Sequence, residues 1–98
     1  MAQYMIDISL PPEPNTEFFA LIPLQRAYIE KLLEQGVVMG YSLSVDRSRL
    51  WIVMNAHNER EAAEILSAFP LFQYFEPTMY PLMFHNTSLM SLIKVSMN

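Results

Sequence analysis

The spacing of apolar residues along this chain switches between every second residue and about every 3.6, and the order of the switches leaves few folds open. From Gln3 to Leu10 the residues Tyr4, Ile6, Ile8 and Leu10 alternate with Gln3, Asp7 and Ser9, which predicts a strand with one buried face, ended by Pro11 and Pro12. Asn15 or Thr16 can then cap a helix in which Phe18, Leu21, Ile22, Tyr28, Ile29, Leu32 and Leu33 recur at helical spacing until Gly36. Pro23 removes a donor inside that run, so a kink or two short helices are expected there. Val37, Met39, Tyr41, Leu43 and Val45 next share one face of a second strand, and Asp46, Arg47 and Ser48 turn it into the continuously apolar run Leu50 to Met54. Such a run suits a strand covered on both faces in the middle of a sheet. Asn58 and Glu61 have capping-box spacing ahead of the stripe Ala62, Ile65, Leu66 and Phe69, and Pro70 closes that helix. Phe72 to Phe84 reads as a last strand whose Pro77 and Pro81 cannot donate to a ladder, which places it on a sheet edge.

Strand, helix, strand, strand, helix, strand is the ferredoxin-like βαββαβ order, an α+β fold with an antiparallel four-stranded sheet and two helices on one face. The expected domain spans residues 1–86, followed by a tail, 87–98. The chain has 98 residues, too few for a second core, and 52% are hydrophobic while only 16% are charged. A typical domain is about 25% charged. That excess of apolar surface, with Met5 and Trp51 or Ile52 available on the helix-free face, predicts a homo-oligomer that pairs sheet to sheet. The tail, with Leu89, Met90, Leu92, Ile93 and Val95, is expected to dock on a neighbouring subunit.

A net charge of -4 disfavours tracking phosphates on nucleic acid or an anionic membrane. There is no cysteine, which excludes disulfides and thiolate chemistry, and the two glycines, Gly36 and Gly40, make no phosphate-cradling loop. The start lacks a basic n-region, and the uncharged stretch Pro77 to Ile93 is broken by prolines and polar residues, so a cytoplasmic protein without a membrane span is expected.

Asp7, opposite in parity to Tyr4, Ile6 and Ile8, is the base candidate that pattern alone offers; the plain alternative is a solvent-facing strand position. Arg26 and Arg49 are the cations that could hold a ligand carboxylate, the plain alternative for either being a surface ion pair. Tyr41 and Tyr74, among other aromatics, can line a pocket for a small acid, although aromatics at strand spacing also serve as core. His57, Glu61 and Glu64 could face one side of a helix, but the acids are better explained by the helix dipole, so neither a metal nor an organic cofactor is expected.

The run Phe69, Pro70, Leu71, Phe72, Gln73, Tyr74, Phe75, with Pro81, Leu82 and then His85, Asn86, Thr87, Ser88, resembles the end of muconolactone isomerases. Ser9, Leu10, Pro11 and Gly36 are similar to that family's first strand end and helix-ending glycine. The resemblance implies a ferredoxin-like subunit in dimeric α+β barrels, assembled further into rings. It also implies cofactor-independent movement of a double bond within a lactone that bears a carboxymethyl group, with His85 as a proton shuttle and Tyr74 beside the site. Where the family carries a Trp, Arg and His-rich segment, this chain has Val37 to Ser42, and Phe84 stands at the family's arginine. Two functions are therefore expected: an isomerase-like enzyme using Asp7 or His85, or a non-catalytic oligomeric module that keeps the barrel and binds a small ligand.

Overall fold

The computed structural model describes residues 1–86, so the expected docking of the tail lies outside the described residues. Along the chain come β1 (Ala2–Ser9), α1 (Thr16–Glu34), β2 (Val38–Leu43), β3 (Arg49–Ala56), α2 (Glu59–Ser67), a 3-10 turn at Phe72–Tyr74 and β4 (Glu76–Leu82). The strands make one antiparallel sheet in the order β2-β3-β1-β4, the ferredoxin-like arrangement that the apolar periods predict. In register, Ile6 lies opposite Ile52 on one side and Met79 on the other. Alternation then gathers Tyr4, Ile6, Ile8, Leu50, Ile52 and Met54 on one face, all buried, against Phe18, Ile29 and Leu32 of α1 and Ala62 and Leu66 of α2. Met5, Asp7, Trp51 and Tyr80 have the opposite parity and line the face without helices. Trp51, rather than Ile52, is the open-face residue. As expected, β3 is interior to the sheet and β4 lies at its edge, where Pro77 and Pro81 spare the ladder no essential donor.

Both helices start where an asparagine satisfies a first-turn donor. Asn15 Oδ1 accepts from the Phe18 N–H at 2.9 Å and Asn58 Oδ1 from the Glu61 N–H at 2.8 Å. Glu61 completes its box one residue early, accepting from the His57 N–H at 3.3 Å. Gly36 ends α1 with φ of 74°, while the Val37 and Gly36 N–H groups return to the Leu32 and Leu33 carbonyls at 2.9 and 3.1 Å. That Schellman closure requires left-handed backbone, which glycine adopts without a Cβ penalty.

The structure departs from the sequence expectations at three elements. α1 continues through Pro23 instead of dividing in two; Pro23 is exposed, and so is Phe19, whose carbonyl loses its helical partner and can be solvated. In β2, Val38 pairs with Met54 but Gly40 pairs with Val53, leaving Met39 as a bulge. The extra residue shifts parity, so Val38, 1% exposed, takes the core position expected of Val37 or Met39, and Val45 falls in the exposed turn. Finally, Phe72–Tyr74 is a 3-10 turn and β4 is only Glu76–Leu82. The chain after Pro70 stays coiled because Phe69, Leu71 and Phe75 are all anchored in the core.

Candidate functional site

The β1–α1 connection holds Pro11, Pro12 and Pro14, whose fixed φ restricts its path, and it bends at Pro12 and Glu13 before Asn15 starts the helix. Between that loop, α1 and the tip of the β2–β3 hairpin lies a cleft of about 1000 Å³. Ile29, Leu50, Leu71 and Phe75 lie deep in it and are buried, whereas Phe19, Tyr41 and Leu43 are large, apolar and exposed at its wall. Exposed apolar residues converging on a concavity with a few polar groups are the usual form of a small-molecule site. The polar lining is Gln25, Arg26 and Glu30 from α1 and Asp46, Arg47 and Ser48 from the hairpin turn. Arg26 and Glu30 are four residues apart, so the helix itself sets a cation and a carboxylate one turn from each other.

The hairpin turn is tied by a carboxylate. Asp46 Oδ1 accepts from Ser44 Oγ at 2.8 Å, Ser48 Oγ at 2.7 Å and the Ser48 N–H at 3.0 Å. The Ser48 bonds, with Ser44 adding to them, bring its pKa down to about 2. Asp46 is therefore an ionised structural acceptor at neutral pH, which leaves Glu30 as the cleft carboxylate without such a network. The next residue, Arg47, has φ of 63°. A left-handed non-glycine residue costs about 1 kcal/mol or more, and strain of this kind concentrates at binding sites. Among the described residues neither Arg26 nor Arg47 forms an ion pair, in contrast to Arg49 and Arg60.

The residues singled out from sequence are divided by the sheet. Arg26 and Tyr41 line the cleft. Asp7 and Arg49 are on the open face, joined by Arg49 Nη1 donating to Asp7 Oδ1 at 2.9 Å. Arg49 is thus not on the wall of the large cleft, because its parity in β3 is that of Trp51 rather than Leu50. His85 borders a smaller open-face depression of about 310 Å³ with Met5, Met39, Trp51 and Val53, so the chain beyond β4 runs back over β1. Tyr74 braces the start of α1, its hydroxyl donating to Asn15 Oδ1 at 3.2 Å and its ring edge-on to Phe18 with centroids 5.3 Å apart. His57 bonds Glu61 at 2.8 Å, which lowers the Glu61 pKa, and Glu64 instead pairs with Arg60 at 3.3 Å. Among the described residues no three His, Cys, Asp or Glu side chains are grouped to hold a metal ion, and no helix is long and apolar enough to cross a membrane.

Sequence reasoning missed Gln25, Glu30 and Arg47. The spacing from Arg26 to Glu30 carried a signal for one of them, and the short polar turn a signal for Arg47; Gln25 looks like any helical polar residue until the packing of α1 is known.

A family model described as muconolactone delta-isomerase matches residues 3–88. Among solved structures, muconolactone isomerase is similar with a TM-score of 0.69 at 14% identity, over 89% of this chain and 94% of that one. A 5-chloro-2-hydroxyhydroquinone dehydrochlorinase from Burkholderia phenoliruptrix AC1100, in complex with 2,5-dihydroxybenzoquinone, is similar with a TM-score of 0.60 at 12% identity, over 86% and 95%. Comparison with curated proteins gives no significant match.

Proposed function

Because the chain belongs to the muconolactone delta-isomerase family, we propose that its cleft binds a small unsaturated ring carrying a carboxylate and moves a proton along that ring. The observation that carries this reading is that Arg26 and Glu30, one turn apart on α1, both line an apolar cleft of about 1000 Å³. Arg26 holds the carboxylate by charge-assisted hydrogen bonds, with Arg47 nearby as a second cation. Glu30 removes a proton from the ring carbon that bears the carboxymethyl arm, and the electron pair moves through the double bond into the lactone carbonyl. Return of a proton to the carbon next to that carbonyl shifts the double bond by one position, with no net gain or loss of atoms. Two proteins of this fold, one a muconolactone isomerase and one that holds a dihydroxybenzoquinone, support a small oxygenated ring as the ligand class.

The test is to incubate the protein with a carboxymethyl butenolide in deuterated water and follow the ring protons by NMR. Catalysed movement of the double bond, with deuterium entering at the carbon next to the carbonyl, is expected. Arg26→Met should raise KM about tenfold with a smaller change in kcat, since a carboxylate contact is made equally in ground and transition states. Binding without isomerisation or exchange would establish the non-catalytic module instead.

The open face fits a second copy of this chain. Met5, Trp51 and Tyr80 surround the Asp7–Arg49 pair, and a twofold axis would bring each pair's charges against those of its mate. Light scattering should give about twice the 11.4 kDa chain mass, and Tyr80→Glu should shift the protein toward monomer. A wild-type monomer at every concentration tried rejects the pairing.

A further inference from the structure

Gln25 is 8% exposed, the buried polar side chain of α1, and it lines the cleft next to Arg26. Its Oε1 accepts from the Leu71 N–H at 3.1 Å. That donor needs an acceptor, so it fixes which end of the carboxamide is oxygen and commits it. Among the described residues Nε2 has no hydrogen-bond partner, yet no fully buried side-chain nitrogen or oxygen there lacks one. Nε2 therefore keeps some free surface, and the space that this side chain borders is the cleft.

We infer that Gln25 is the hydrogen-bond donor for a ring or carbonyl oxygen of the ligand, making the cleft selective for oxygenated rings; the inference rests on the cleft being the ligand site. A fixed donor on the cleft wall with no protein partner favours a ligand that supplies an acceptor over one that does not. In the proton shift the oxygen that gains charge is the lactone carbonyl, and an amide held by the backbone of Leu71 needs no rearrangement to meet it. The arrangement also separates duties along α1: Arg26 reads the carboxylate and Gln25 reads the ring.

Two probes of similar size separate these contributions by calorimetry on the whole chain: a carboxymethyl butenolide, and cyclopent-2-enylacetic acid, which keeps the carboxylate and ring but has no ring or carbonyl oxygen. The wild type should bind the lactone about tenfold more tightly, the value of one good hydrogen bond. Gln25→Glu retains an acceptor for the Leu71 N–H and loses the donor, while Gln25→Met loses both; in each the ratio of the two affinities should fall to about one. The Glu variant keeps the tie to Leu71, so it decides the matter if the Met variant does not fold. A wild-type ratio near one, or a ratio that survives both substitutions, overturns the role of Gln25 while leaving the cleft intact. Failure of both probes to bind, or affinities that Arg26→Met leaves unchanged, overturns the cleft reading and this inference with it.

Discussion

Ile52→Ala is expected to lower the unfolding free energy by about 3 kcal/mol, within the range for removing a buried branched side chain without refilling its space. Ile52 is fully buried, lies opposite Ile6 on β1 and Tyr41 on β2, and faces the helices from an interior strand, so its neighbours are held from both sides and can collapse little. For a domain of this size that loss corresponds to a fall in Tm of about 15 °C. Urea unfolding followed by Trp51 fluorescence measures it. Ile52→Val should lose only about 1 kcal/mol, and equal effects from the two substitutions would mean that packing around Ile52 is not what sets the cost.

Glu30→Gln is expected to reduce kcat on the carboxymethyl butenolide at least about 100-fold with little change in KM, because the amide keeps the size of the side chain but cannot accept the proton. Asp46 does not substitute for it, being an ionised acceptor already held by Ser44 and Ser48. The same assay on Asp7→Asn and His85→Ala examines the open face. A loss confined to Glu30→Gln places proton transfer in the cleft; a loss of that size in Asp7→Asn, with Glu30→Gln unaffected, moves it to the other side of the sheet.

Much of this fold is legible in the sequence because a strand with one buried face records its orientation in every second residue. Asp7 shows its outward position simply by standing between Ile6 and Ile8. Met39 shows the limit of that reading: one bulged residue exchanges the faces before and after it, and no residue type announces it. The cleft is harder still, since its parts come from a proline-rich loop, one helix and a hairpin tip that are distant in the chain. Arg49 and Arg47 look equivalent in the turn sequence. Arg49 shares the parity of Trp51 in β3 and bonds Asp7 on the open face, whereas Arg47 sits in left-handed backbone of the turn and lines the cleft.

The unbulged pairing of β1 with both of its neighbours has a consequence for how the molecule can change over generations. Ile6 and Asp7, or Leu50 and Trp51, are adjacent in the gene yet answer to different surroundings, one of each pair to the packed interior and the other to whatever meets the open side. A substitution at one is screened from the other by the thickness of a peptide ladder. Descendants of this chain can therefore acquire a new companion on one side while the opposite side keeps its chemistry, and the lengths of β1 and β3 where these pairs stand are where such independent histories would be written.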